Sequence, residues 1–152
     1  MPRTMTEHEC QAFLAEPRVG TLSVVADGGR PPLTVPVWYG YEPGGTLSFF
    51  TGTQGRRARK TGLLERAGVV SLSVQHGEFP YRYVTVEGTV VGTERRPDAD
   101  RVLAIVRRYL PEEVAQGIVA AELGRPESES EFVLFTVRPD RWLSFDFADD
   151  GG

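Results

Sequence analysis

From Arg18 to Thr93 the chain alternates between short runs of β-forming residues and breaks rich in glycine or proline. That rhythm points to an antiparallel sheet curled into a small barrel. The runs are Arg18–Ala26, Leu33–Tyr41, Thr46–Thr51, Val69–Gln75 and Tyr81–Thr93. Asp27-Gly28-Gly29 and Pro43-Gly44-Gly45 read as turns, and Gly52–Arg66 as a loop leading into a short helix. Pro36 has no N–H for a ladder, so it belongs at an edge, a bulge or a gap facing a ligand. Gly88 marks a bulge in the fifth run. Beyond Thr93 the period changes. Pro97–Leu110 places Val102, Leu103, Ile105 and Val106 at helical spacing, and Pro111–Leu123 predicts a second helix ended by Gly124. After a polar loop, Phe132–Val137 and Trp142–Phe147 predict two further strands with a turn at Arg138-Pro139-Asp140-Arg141. At the other end, Thr6-Glu7-His8-Glu9 is a capping box for a helix that stops near Pro17. The expectation is one α+β domain, mainly antiparallel β, in a small barrel over residues 1–147, followed by an acidic disordered tail at 148–152.

Charge and composition narrow the functions. A net charge of −4 and a pI near 5.3 argue against general nucleic-acid binding, which leaves a basic footprint. The single cysteine, Cys10, permits no disulfide within the chain, and His8 and His76 are too few for a structural zinc site, so no metal is expected. The N-terminal residues lack a signal-peptide apolar core, no run is long enough for a membrane span, and a cytoplasmic location is expected. Of the 17 basic residues only Lys60 is lysine, and it sits in a cluster with Arg56, Arg57 and Arg59.

That cluster is the first candidate site. Thr51-Gly52-Thr53-Gln54-Gly55-Arg56-Arg57-Ala58-Arg59-Lys60-Thr61 lies between a predicted strand and a helix. It combines hydroxyl donors, close-approaching glycine backbone and cations, the mixture that phosphate recognition needs. A solvated basic turn has the same composition. Val35-Pro36-Val37-Trp38-Tyr39 reads as a strand that presents backbone polar groups and aromatic faces to a flat ring, or as a core strand with an edge proline. Alternation puts Tyr81, Tyr83, Thr85 and Glu87 on one face, lining a cavity with a half-buried glutamate or forming an interface. Trp142 is a core anchor or a cover for a bound ring. No Gly-x-Ser-x-Gly elbow, Gly-x-Gly-x-x-Gly or P-loop spacing occurs, so chemistry, if present, comes from a bound cofactor. No catalytic side chain is assigned.

Taken in order, Val35-Pro36-Val37-Trp38-Tyr39, Leu47-Ser48-Phe49-Phe50-Thr51, Arg59-Lys60-Thr61, Glu65-Arg66-Ala67-Gly68, Val70-Ser71-Leu72, Tyr81-Arg82-Tyr83-Val84, Val86-Glu87-Gly88 and Arg138-Pro139-Asp140-Arg141-Trp142-Leu143 resemble the pyridoxamine 5'-phosphate oxidase-like family, including its flavin/deazaflavin-dependent oxidoreductase branch. The resemblance spans roughly Glu9 to Phe147. It implies the FMN-binding split-barrel fold, a split β-barrel with short flanking helices. It also implies a homodimer with cofactor sites at the interface, and FMN or the alternative 8-hydroxy-5-deazaflavin (coenzyme F-420) as cofactor. Hydride would move between that ring and a small organic substrate. Carried over residue by residue, Pro36, Val37 and Trp38 meet the ring, with Phe50 and Gly52 beside them. Thr51, Thr53, Arg57, Lys60 and Thr61 serve the phosphate, and Tyr83 and Trp142 wall the cavity, across the dimer or within one chain. Counting from either flank puts Arg57 or Lys60 at the main phosphate position. Counterparts of the residues that bind vitamin B6 substrates are missing, so that oxidation is not expected. A flavin carrier or sensor without turnover is the alternative, and a haem-binding member is a third.

Overall fold

A computed structural model describes residues 2–52, 59–126 and 132–148. Its elements are α1 (Glu7–Ala15), β1 (Gly20–Val24), β2 (Leu33–Val37), β3 (Tyr39–Tyr41), β4 (Leu47–Thr51), α2 (Arg59–Ala67), β5 (Val69–His76), β6 (Arg82–Arg95), α3 (Ala99–Val106), α4 (Glu112–Leu123) and β7 (Val133–Asp146). The capping box forms as the sequence requires: Thr6 Oγ1 accepts from the Glu9 N–H, and the Glu9 carboxylate accepts from the Thr6 N–H.

The strands make one antiparallel sheet in the order β2-β1-β5-β6-β7-β4-β3. Its two edges, β2 and β3, are consecutive in the chain and separated by Trp38 alone. Laid flat, seven strands would hold those edges about 29 Å apart. Two residues of chain reach only about 7 Å. The sheet therefore has to curl until its edges meet, and Trp38 is the joint. The strand expected over Leu33–Tyr41 is thus two strands that belong to opposite edges. Pro36 lies in edge strand β2, paired with Thr21 on one side only, where its missing donor costs least.

Curling also explains the core. Along one inner row run Val35, Leu22, Leu72, Val86 and Trp142, each paired to the next. Leu22 and Leu72 are completely buried there, with Tyr39, Leu47, Phe49 and Phe135 elsewhere in the same cluster. The next row, Pro36, Thr21, Ser73, Thr85 and Leu143, faces outward. A second, smaller cluster joins Val102 and Val106 of α3 to Ala115 and Val119 of α4 and to Phe132, with Trp38 and Phe50 packed against it. Gly40 lets α3 come this close, because a Cβ there would lie 3.2 Å from Ile105 Cγ1.

Two expectations are corrected. Residues Arg138–Arg141 are not a turn, since β7 runs unbroken from Val133 to Asp146 alongside β6. Gly88 pairs with Pro139 and Glu87 with Arg141, so Asp140 is the extra residue of a bulge. Its carboxylate accepts from Thr89 Oγ1 at 2.6 Å and from Arg138 Nε at 2.8 Å, and these bonds, Thr89 first, hold its pKa below the ordinary value. The bulge predicted at Gly88 exists, but its extra residue comes from the partner strand. Gly88 supplies closeness: a Cβ there would stand 2.4 Å from Val137 Cγ1 and 2.6 Å from the Arg138 carbonyl. Glu87, expected to be half-buried, is exposed.

Candidate functional site

Five of the expected site residues meet at the joint. Pro36, Val37 and Trp38 from the β2 end, with Phe50 and Gly52 from the β4 end, border a cleft of 260 Å³. Its far wall comes from Val106 of α3, Ile118 and Glu122 of α4, and Phe132 just before β7. Local packing fixes each aromatic wall. Phe50 stacks on Phe132 with centroids 5.1 Å apart and planes 23° apart. Trp38 stacks on Tyr109, again at 5.1 Å, with planes within 7°.

Tyr109 was not singled out from the sequence, yet it organises the joint. Its hydroxyl donates to the Arg18 carbonyl at 2.8 Å and accepts from the Tyr39 N–H at 3.2 Å. The backbone on the far side of Trp38 is thereby tied to the entry of β1. Burial raises the Tyr109 pKa above its usual value, so the hydroxyl stays a neutral donor. Tyr39 is pushed up further by burial, and its hydroxyl donates to the Leu14 carbonyl at 2.8 Å, fastening the end of α1. No local pattern marks Tyr109, because its partners lie 70 and 91 residues away.

The expected phosphate residues divide. Thr51 and Thr61 are wholly buried, and their hydroxyls bond each other at 2.8 Å. In this arrangement they clamp the end of β4 to the first turn of α2, directly below Gly52. Thr53 and Arg57 lie outside the described residues, as does the Lys60 side chain. Tyr83 and Trp142 do not border the joint cleft. They flank a second cleft, of 680 Å³, between the outer half of β7 and the first ten residues. Pairing puts Trp142 on the inner row and Tyr83, opposite Phe145, on the outer face. Trp142 also meets Tyr41 edge-on at 6.1 Å. Neither His8 nor His76 lines the joint cleft.

Fold and cleft together define a split barrel with an aromatic-lined cleft at its joint. The family model described as pyridoxamine 5'-phosphate oxidase matches residues 6–141, and the chain belongs to that family. No protein of curated function matches it. Among solved structures it is similar to an F-420 reductase at 25% identity and a TM-score of 0.65, over 87% of this chain and 94% of that one. It is also similar to a FAD-binding protein from Mesorhizobium loti (22% identity, TM-score 0.61, 96% of each chain). A third is the FAD and heme binding protein from Mycobacterium smegmatis (20% identity, TM-score 0.60, 97% of this chain and 73% of that one). No described helix is long and apolar enough to cross a membrane.

Proposed function

We propose that the joint cleft holds the ring of FMN or of 8-hydroxy-5-deazaflavin, and that the chain serves hydride transfer between that ring and a small organic substrate. The carrying observation is the composition of the cleft. Trp38, Phe50 and Phe132, each held in an aromatic stack, border one cleft of 260 Å³ with the Pro36–Val37 strand edge, and in the sequence Gly52 is followed by Thr53, Arg56, Arg57, Arg59 and Lys60. The residues fit the group: apolar faces for the ring, cations within a few residues for the phosphate. When bound, the ring supplies the redox chemistry. The chain binds it, orients it through Trp38, and keeps water away with Ile118, Val106 and Phe132. Membership of the family and the likeness to an F-420 reductase support this reading.

Tyr83 and Trp142 can reach such a ring only from a second copy. The outer face of β1, β5 and β6 favours one. Short side chains line its middle, with Thr85 Oγ1 donating to Ser73 Oγ at 2.9 Å beside Thr21 and Ser71, and Tyr83 and Leu143 stand exposed at its margin. A face with short side chains at its middle and apolar groups at its margin suits packing against its own twin. A homodimer is therefore part of the proposal.

The test is titration of the purified chain with FMN and with the deazaflavin, followed by fluorescence and absorbance. Saturable binding of either at micromolar concentration or below is expected, and binding of neither overturns the proposal. Replacing both Arg57 and Lys60 by Ala should weaken binding at least a hundredfold, since charge-assisted contacts contribute about 1.5–3 kcal/mol each. Tight binding with no turnover of any substrate tried would favour a carrier.

A further inference from the structure

One row on the outer face of the sheet reads the same from either end. Across β2, β1, β5, β6 and β7 it runs Pro36, Thr21, Ser73, Thr85, Leu143. An apolar residue stands at each end, a threonine inside each, and a serine at the centre. A face that pairs with its own copy about a two-fold axis has to match itself in this way, because each residue meets the one that the rotation brings to it. The axis that uses the match lies between the two faces and runs along β5. It lays β6 over the copy's β1 and β7 over the copy's β2, so that Thr85 meets Thr21 and Leu143 meets Pro36.

The neighbouring rows agree with that axis. In the row Thr34, Ser23, Ser71, Glu87, Arg141, it brings Glu87 over Ser23 and Arg141 over Thr34, each charge facing a hydroxyl. An axis along β6 would lay Glu87 on Glu87, and one along β7 would lay Arg141 on Arg141. One row toward the joint, Tyr83 comes over the entry of β1, where Val19 is exposed. Aligned sheets cross at about 30°, which slides residues two strands from the axis by about 5 Å, less than the step of about 6.6 Å between outward rows.

We propose that a second copy packs on this chain about a two-fold axis along β5 at Ser73, and that the copy's Leu143 completes the joint cleft beside Pro36. This rests on the reading of the cleft as a flavin or deazaflavin site served by a homodimer. Because the sheet is curled, the two outer faces touch along β5 and part on either side of it. Pro36 and the copy's Leu143 stand two strands from the axis, where the gap has opened into a slot. Pro36 borders the joint cleft, and Leu143 is 39% exposed and free to fill that slot. A flat ring in the cleft is then covered by an apolar side chain from the copy, which keeps water from that side. Trp142, the neighbour of Leu143, is packed against the inner cluster.

The test treats Ser73→Cys with a short bis-maleimide at a concentration where the wild type sediments as a dimer. The two introduced thiols straddle the axis, so a linked dimer should form. Leu143→Cys should give none, since four strand spacings, about 19 Å, separate it from its own copy. The wild type, whose Cys10 is buried, is the blank. In the linked dimer, where association no longer limits binding, Leu143→Ala should weaken binding of FMN or the deazaflavin about threefold or more. Leu143→Met, which keeps the apolar cover, should retain it. A dimeric wild type with no linkage through Ser73→Cys, or with equal linkage through Leu143→Cys, overturns the axis and leaves the homodimer in place. Linkage with an affinity unchanged by Leu143→Ala overturns the role of Leu143. A wild type that is monomeric at every concentration removes the homodimer and this proposal together. A linked dimer that binds neither ligand removes the ring reading, and the role of Leu143 with it.

Discussion

Beside the outer half of β7, the groups brought by the N-terminus have found partners. Met5 N–H donates to Ser144 Oγ at 2.9 Å, Arg3 N–H to the Asp146 carbonyl at 3.0 Å, and the Arg3 guanidinium to both oxygens of Glu9 at 3.0 and 2.7 Å. At the β2–β3 joint the walls are just as well packed, yet the one carboxylate among them has an oxygen with no donor. Both clefts open on the same barrel, and the larger is the N-terminal one. Size therefore does not identify the site. Polar pairing separates the two clefts, because a groove whose polar groups already satisfy one another gains little from a ligand. The N-terminal cleft reads as a clasp that holds α1 on the barrel.

The comparison is sharpest at Trp38. Trp38→Ala removes one wall of the joint cleft and the face that stacks on Tyr109. It should lower stability by about 3 kcal/mol, the low end for losing a large aromatic since Trp38 is only partly buried. Binding of the ring should fall at least tenfold. Urea unfolding and ligand titration measure the two effects. Binding that survives the loss of Trp38 would move the ring away from the joint.

Tyr109→Phe is the subtler version. The ring stack stays, while the hydroxyl that donates to Arg18 and accepts from Tyr39 is gone. Two backbone groups lose their partner, at a cost of about 1–3 kcal/mol. Because the ring still supports Trp38, any weakening of ligand binding reports on the set of the joint. The expected loss is a few-fold in affinity, measured on the same titration. An unchanged affinity would show that the stack alone positions Trp38.

Much of this was legible in the sequence, and the failures have physical causes. The capping box, the alternation of Tyr83, Thr85 and Glu87 against Val84 and Val86, and the change of period at Pro97 are local signals, and local signals survived. Arg138-Pro139-Asp140-Arg141 has turn composition, but in the folded chain β6 offers a ladder long enough to carry it, and Thr89 and Arg138 satisfy the aspartate within the strand. The break at Trp38 was invisible because both sides read as strand, and only the pairing of β2 with β1 and of β3 with β4 assigns them to opposite edges. Pro36, Val37, Trp38, Phe50 and Gly52 border one cleft, and of these the proline and aromatic punctuation of the strand pointed to Pro36, Val37 and Trp38, while Phe50 and Gly52 came from the family resemblance. Tyr109 was not found, since one tyrosine gains meaning only from neighbours distant in the chain.

Tyr83→Ala tests whether the outer face is a partner surface. The side chain is 36% exposed, so a lone barrel should barely notice its loss, within about 0.5 kcal/mol. In a homodimer it is an aromatic anchor, and the dimer should dissociate at least fivefold more readily, as expected of about 1 kcal/mol or more. Sedimentation across a dilution series gives the answer. A chain that is monomeric throughout removes the dimer, and with it any role for Tyr83 at the ring.

The smallest effect belongs to the clasp. Glu9 is held at a pKa of about 2, against an ordinary 4.5, by the Arg3 guanidinium first and then by the Thr6 N–H. A group whose pKa is lowered by folding favours the folded state in its charged form, so that contribution is complete above pH 4.5 and lost as the pH falls to about 2. Glu9→Gln preserves the reach back to Thr6 and removes only the charge. Its melting temperature should sit slightly below that of the wild type at neutral pH, and the gap should close as the solution is acidified through this window. A gap that persists at the acid end would mean that glutamine spoils the cap itself. Ring binding should be the same in both proteins at neutral pH, because the clasp and the joint share a barrel but not a ligand.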